Sequence, residues 1–385
     1  MAVINGKVFV DGAFVEGKNV TFENGKITAV SKGATDSGET VDARGCYVIP
    51  GLVDLHFHGC VGADLCDGKV ESIVKIAKFQ ASVGTTSICP ATMTYSEEIL
   101  TPIMDSVSQF VEAQKRGETP SDCSTFAGIN MEGPYISPDK VGAQNPAYVH
   151  AGDIAEFNRL NDASGKMIKL VDVAPEVIGN LDFIKQATDE GVRVSIAHTC
   201  ATFDEANSAF EAGARQMTHL FNAMNPIHHR KPGPVVAAFD DDRVMAELIC
   251  DGIHSHPAVI RMAFKLFGDD RIILISDTMR ACGLEDGTYD LGGQDVTVHG
   301  SLATIADGSI AGSVTCLPDC LRYAVKTAGI PLESAVKCAT ENPARALGMG
   351  GKVGTICEGA SADILILNED LTLNSVILRG EKIAS

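Results

Sequence analysis

Both ends of the chain alternate apolar and polar residues in short runs, and between them short apolar runs take turns with longer, helically spaced ones. The N-terminal stretches KVFVDGAFV and VTFENGKITAVS read as strands, because successive strand side chains point to opposite faces. Asn24-Gly25, set between alternating apolar residues, predicts a two-residue hairpin turn. Residues 362–383, ADILILNEDLTLNSVILRGEKI, return to the same texture. In KVESIVKIAKFQASVG, Ile73, Ile76, Ala77 and Gln80 share one side of a helical wheel, and the strand-like TTSICPA follows. ATFDEANSAFEAGA opens with Thr202 and Glu205 in capping-box spacing and leads to RQMTHLFN. Repeated strand–helix units predict a parallel sheet covered by helices. Length for eight such units, with no GxGxxG fingerprint, favours a (β/α)8 barrel of the TIM type over an open doubly wound sheet. The terminal strands are expected to pair into a small β-sandwich of residues 1–51 plus 351–385, beside a barrel of residues 52–350.

Composition narrows the function classes. A formal charge of −19 argues against nucleic acid or an anionic membrane as partner, since phosphate contacts need concentrated Lys and Arg. A small anion needs only one or two well-placed cations and stays open. No apolar run approaches the length that crosses a bilayer. The opening MAVINGKVFVDG lacks the basic and apolar regions of a signal peptide, so a cytoplasmic location is expected and the NVT acceptor at Asn19 is read as chance. Twelve scattered cysteines without a CxxC fit reduced, mostly buried thiols; Cys316 and Cys320 have the spacing to face each other on a helix. Walker A, HExxH and GxSxG motifs are absent.

Barrel active sites collect at the C-terminal ends of the strands, so the residues that end each strand matter most. LVDLHFHG places Asp54, His56 and His58 on one face. STFAGINMEGPY runs Phe126, Gly128, Asn130, Glu132; GVRVSIAHTCAT runs Val192, Val194, Ile196, His198; RQMTHLFN gives Met217, His219; and RIILISDTM gives Ile273, Ile275, Asp277. One such ending is bland, because polar residues commonly mark where a strand stops. Five together, with four histidines and two carboxylates, form a donor set suited to a borderline divalent ion. Such an ion lowers the pKa of water from about 15.7 to near 7. Asp277, alone on its strand and followed by a poor helix start, is the candidate acid/base; Glu132 could bind one ion or bridge two.

Residues 41–59, VDARGCYVIPGLVDLHFHG, resemble the opening signature of the amidohydrolase superfamily, and GTICEGASADILIL resembles its closing one. Within it, NMEGPYIS, AHTCATFDEA, THLFNAMNPIHHRKPG, ICDGIHSHP, LISDTM and IAGSVTCLPDCLR, in this order, resemble the N-acetylglucosamine-6-phosphate deacetylase family. The resemblance implies a (β/α)8 barrel with a β-sandwich from both termini. It implies hydrolysis of the sugar's acetamide to acetate and glucosamine 6-phosphate by a metal-activated hydroxide, in amino-sugar catabolism. By matching motif, Glu132, His198 and His219 would be metal ligands and Asp277 the acid/base. Glu132 stands where many other amidohydrolases carry a carboxylated lysine. His56 and His58, a pair some members lack, imply a second ion, hence two divalent cations per chain, Zn2+ or Fe2+ ahead of Mn2+ or Co2+. Ala143, Gln144, Asn222, Ala223, Arg230, His254, Ile310, Ala311 and Gly312 match substrate-binding positions. Arg230 would meet the phosphate across a homodimer interface, completing the neighbouring site, because a guanidinium suits phosphate in a forked contact. Gln144 replaces a histidine that polarises the carbonyl in some members, and glutamine donates a hydrogen bond without charge. His228, His229 and His256 are expected in loops or behind ligands, and His150 and His299 at the surface. The alternatives are the galactosamine epimer, a cyclic-amide hydrolase, which would carry a metal-bridging lysine, and a non-catalytic scaffold, which would lack ligands.

Overall fold

In the computed structural model, which describes residues 1–33 and 38–383, the predicted strand–helix units close into a ring. Barrel strand 1 is Leu52–Asp54, strand 2 Thr85–Ile88, and strand 3 the broken run Thr125–Phe126 and Ile129–Met131. Strands 4 to 8 are Ile168–Val173, Arg193–Ile196, Gln216–Met217, Met245–Ile249 and Ile272–Ile275. Every pair from strand 1 through to strand 8 is parallel. Strand 3 is stitched to strand 2 by Asn130 N–H on Pro90 O (3.0 Å), and strand 8 to strand 1 by Asp277 N–H on His56 O (3.0 Å). Helices cover the strands outside, so the strands are buried on both faces and read as continuous apolar runs, as in the fully buried Ile272–Ile275.

Local signals translate directly. The helix Val70–Ser82 buries Ile73, Ile76, Ala77 and Gln80. The helix Phe203–Ala212 is closed by the reciprocal Thr202–Glu205 capping box. Asn24 (φ 51°) and Gly25 (φ 74°) both lie in the left-handed region that a two-residue hairpin between Lys18–Glu23 and Lys26–Lys32 demands.

Residues from both ends build two further sheets. Four strands run in the order Lys26–Lys32, Lys18–Glu23, Ala2–Ile4, Thr40–Asp42. Six run Glu381–Ile383, Leu373–Leu378, Ile364–Leu367, Tyr47–Pro50, Lys7–Val10, Ala13–Val15. Val3, Val20 and Phe22 of the first sheet share a core with Val8, Val48, Ile364, Ile366 and Ile377 of the second.

One element was not anticipated. Between strand 8 and its helix Leu317–Lys326 the chain makes a three-stranded antiparallel sheet, Gly287–Leu291, Gln294–His299 and Leu302–Thr304. Its inward residues Leu291, Val296, Val298 and Ala303 pack on Met93, Met279 and Ala311 at the barrel mouth. Among the described residues no helix is long and apolar enough to cross a membrane.

Gly51 joins the terminal sheets to barrel strand 1, with its N–H on Asp363 O (2.9 Å). A Cβ there would collide with the buried side chain of Thr86 on strand 2. Gly51→Ala should therefore destabilise the protein by about 1–3 kcal/mol, read as a lower denaturant midpoint at unchanged slope.

Candidate metal centre

The strand-end residues converge, but not by simple continuation of the strands. His56, His198, His219 and Asp277 each stand two residues beyond the last paired residue of strands 1, 5, 6 and 8. Three of them have left the extended conformation: φ is 42° at His198, 28° at His219 and 52° at Asp277. Left-handed backbone costs a non-glycine residue about 1–3 kcal/mol and persists only where surrounding contacts impose it. The barrel supplies those contacts. The N–H of Asp277 donates to His56 O, its carbonyl accepts from Ser313 N (2.7 Å), and His198 O accepts from Ser137 N (2.9 Å).

Glu132, directly after strand 3, lies at the centre and is buried. Its Oε1 is 3.0 Å from His198 Nε2 and 3.2 Å from His219 Nε2, and those two nitrogens are 3.2 Å apart. Its Oε2 faces the other pair, 3.5 Å from His56 Nε2 and 3.2 Å from His58 Nε2. Asp277 Oδ1 completes that second group at 3.4 Å from His58 and 3.8 Å from His56. Two three-residue clusters result: Glu132, His198, His219; and His56, His58, Asp277.

These residues fit divalent cations. Ligands about 2.0–2.1 Å from one tetrahedral ion stand about 3.3 Å from each other, close to the edges of the first cluster. The tautomers agree. His198 Nδ1 donates to Lys140 O (2.8 Å) and His56 Nδ1 to Glu247 Oε2 (2.9 Å), which turns both Nε2 lone pairs toward the centre. His56 Nε2 and Glu132 Oε2 are buried with no hydrogen-bond partner, as acceptors awaiting a cation. The electrostatics show the same demand for positive charge. Burial pushes His58 down, but the carboxylates of Asp277 and Glu132 beside it lift it to about 10. Burial pushes the Glu132 carboxyl up, and the surrounding imidazoles hold it well below the usual carboxylate range. Asp277 is likewise held low against burial by His58 and His56.

Behind the clusters lie two buried carboxylates, Glu247, which the sequence reading did not name, and Asp54, which it placed differently. Glu247, in the middle of strand 7, binds His56 Nδ1, Gln216 Nε2 (2.5 Å) and His219 N–H (3.2 Å). Its signal was available: it is the one charged residue in the apolar run VMAELIC. Asp54 was expected to share a face with the histidine pair. The strand ends at Asp54, and its side chain instead takes the Ser276 hydroxyl and the His56 N–H (3.3 Å), tying strand 1 to strand 8. Burial pushes Asp54 up to about 7 against those hydrogen bonds.

A cavity of about 490 Å3 opens over the centre. Of the expected substrate contacts, Ala143, Gln144, Asn222, Ala223, His254, Ile310 and Gly312 line it, together with His58, Glu132, His198, His219 and Asp277. Gln144 Oε1 accepts from Thr94 N–H (2.7 Å), which leaves its NH2 as the group it can offer. The unforeseen hairpin holds this loop through Gln294 Nε2 on Ala143 O (2.6 Å). Two expected contacts do not line the cavity. Ala311 is fully buried beneath it, its N–H on Ala303 O (3.1 Å). Arg230 sits on an exposed loop, bonded to His229 Nε2 (2.6 Å), beside a separate surface hollow that His228 also lines. His256 caps the helix Pro257–Phe267 through Ala258 N–H (3.2 Å), and His150 and His299 are exposed. The Cys316 sulfur faces Cys282 at 3.3 Å, and Cys320 turns instead toward Thr315 O (3.7 Å).

A parallel barrel carrying His, Glu and Asp at its C-terminal mouth defines a class. The amidohydrolase family model matches residues 47–383, and the chain belongs to that family. Its particular kinship is narrower. It is 33% identical over 376 residues to the N-acetylglucosamine-6-phosphate deacetylase of Bacillus subtilis (strain 168), covering 97% of this chain and 94% of that one. It is 33% identical over 332 residues to the N-acetylgalactosamine-6-phosphate deacetylase of Escherichia coli O157:H7, covering 86% of each. Among solved structures, N-acetyl-D-glucosamine-6-phosphate deacetylase from Mycobacterium smegmatis superimposes with a TM-score of 0.92 at 33% identity, covering 100% of both chains.

Glu247→Gln would turn an acceptor beside His56 Nδ1 into an ambiguous amide. Metal affinity, read by competition with a chromophoric chelator, should fall about 10–100-fold while the fold stays intact.

Proposed function

We propose that this chain hydrolyses the acetamide of N-acetyl-D-glucosamine 6-phosphate to acetate and D-glucosamine 6-phosphate, as a cytoplasmic enzyme of amino-sugar catabolism. The observation that carries the proposal is Glu132 set between four imidazoles with Asp277 at the floor of the cavity. Glu132, His198 and His219 would hold one divalent cation and His56 and His58 a second, with Asp277 beside that pair as the acid/base, Zn2+ or Fe2+ being the best matches to the donors. Such cations supply Lewis acidity toward the amide oxygen and acidify the attacking water.

The chain's own groups do the rest. Asp277, ionised at neutral pH, takes the proton that water loses and delivers it to the amine nitrogen as the C–N bond breaks. The NH2 of Gln144 donates toward the substrate without adding charge. On the cavity wall stand Lys140 and His254, cationic groups suited to an anionic sugar phosphate. Arg230, outside its own cavity, would reach the phosphate in a second copy, which makes a homodimer the working unit. Catalysis belongs to residues 52–350, with residues 1–51 and 351–385 as a supporting β unit. The galactosamine relative makes that epimer the second reading. A cyclic-amide reading would want a lysine where Glu132 stands.

Purified protein supplied with Zn2+, Fe2+, Mn2+ or Co2+ should release acetate from N-acetylglucosamine 6-phosphate faster than from the galactosamine epimer; no acetate from either sugar sinks the proposal. Asp277→Asn should lower kcat by about 10²–10⁴-fold with metal content close to wild type. Loss of metal instead would make Asp277 chiefly a ligand. Arg230→Ala should raise KM for the phosphorylated sugar far more than for N-acetylglucosamine, and equal effects would remove the phosphate assignment.

A further inference from the structure

The loop after barrel strand 7 holds a carboxylate–imidazole pair whose geometry goes beyond lining the cavity. Asp251 Oδ1 accepts the N–H groups of Ile253 (2.9 Å) and His254 (2.9 Å), so the carboxylate cannot rotate. Its Oδ2 then meets His254 Nδ1 at 2.7 Å. The Asp251 side chain is fully buried and that of His254 nearly so. An ionised carboxylate only accepts, so Nδ1 must carry a hydrogen, and Nε2 is the one ring nitrogen left for the cavity. A neutral ring in this tautomer presents a lone pair at Nε2, which repels an anion. Only the protonated ring presents Nε2–H.

We propose that Asp251 is a positioning residue that commits His254 to bind the anionic end of the substrate as an imidazolium, or not at all. The inference rests on the sugar-phosphate reading of this cavity. Burial pushes His254 down, but the hydrogen bond and charge of Asp251, with a further contribution from Asp277, hold it above the ordinary histidine range. Around the cavity the other charged groups are Asp139, Lys140, Asp307 and the metal-centre residues. On the far side of Asp251, Asp319, Arg322 and Lys326 share a surface pocket with it. His254 therefore keeps its proton to higher pH than an ordinary histidine and loses it as pH rises past its folded pKa. Asparagine at 251 would reverse the tautomer: its NH2 donates to Nδ1, and a neutral ring keeps Nε2–H while the charge is gone.

The test compares KM from pH 7 to 10, where the substrate phosphate is almost fully ionised. In the wild type, KM for N-acetylglucosamine 6-phosphate should rise about tenfold across His254's titration, the weight of one charge-assisted hydrogen bond. Asp251→Asn should start about tenfold higher at pH 7 and stay flat, with kcat little changed. His254→Gln should behave the same way, and the double variant should add nothing further. KM for unphosphorylated N-acetylglucosamine should move far less than KM for the phosphorylated sugar in every variant. A wild-type pH profile in Asp251→Asn, or equal losses with the unphosphorylated sugar, overturns the inference. Should Asp251→Asn fail to fold, a rising profile retained in His254→Gln overturns it equally. Absence of wild-type turnover would instead refute the functional reading. In that case calorimetric titration of inorganic phosphate against pH, in wild type and Asp251→Asn, still decides whether the pair binds an anion through its charge.

Discussion

The buried carboxylate of Glu132 needs positive charge on both of its oxygens, and the structure is arranged around that need. A carboxylate withdrawn from water is costly unless its lone pairs are met, and losing one partner of a buried pair costs about 3–5 kcal/mol. Here Oε1 is met by strands 5 and 6 and Oε2 by the end of strand 1, so three separate strands must arrive in register for one charge to be tolerated. An open sheet could not surround Glu132 in this way. Ring closure between strands 8 and 1 can, and Asp54 and Ser276 reinforce that closure just beneath the site.

The same arrangement explains the backbone. At His198, His219 and Asp277 a strand must stop pointing its side chains alternately and turn one inward over the barrel mouth, and a left-handed residue makes the turn. The strain is borne where neighbouring strands and loops grip the backbone, and the chemistry stands at those same positions. The specificity elements are of another kind. Gln144 and Ile310 lie on loops above the barrel, with Gln144 held by Thr94 N–H and its neighbour Ala143 by Gln294 of the inserted sheet.

Much of this was legible in the chain because period-two alternation and strand endings are local properties. The six residues of the two clusters, the helix Val70–Ser82, the Thr202 cap and the Asn24-Gly25 turn could be read from neighbours a few positions away. What escaped depends on distance. Asp54 meets Ser276 across 222 positions, and Glu247 meets His56 across 191, pairings that no local pattern announces. The left-handed turns were hidden because alternation describes a strand only while it lasts. Ala311 was placed by motif, but a motif says nothing about which side of a wall a side chain occupies. The inserted hairpin reads as strands by its own alternation, yet only its packing on Met93 and Met279 gives it a place in the fold.

The six-stranded sheet has a consequence for how the molecule is made. Tyr47–Pro50 and its antiparallel neighbour Ile364–Leu367 are adjacent in space and separated by the whole barrel in sequence. On a ribosome adding about 5–20 residues per second, the first strand waits tens of seconds for the second. Through that interval the edge of Tyr47–Pro50 stays open, and the six-stranded sheet closes only after Ile364–Leu367 has been made, although the four-stranded sheet draws only on residues 2–42.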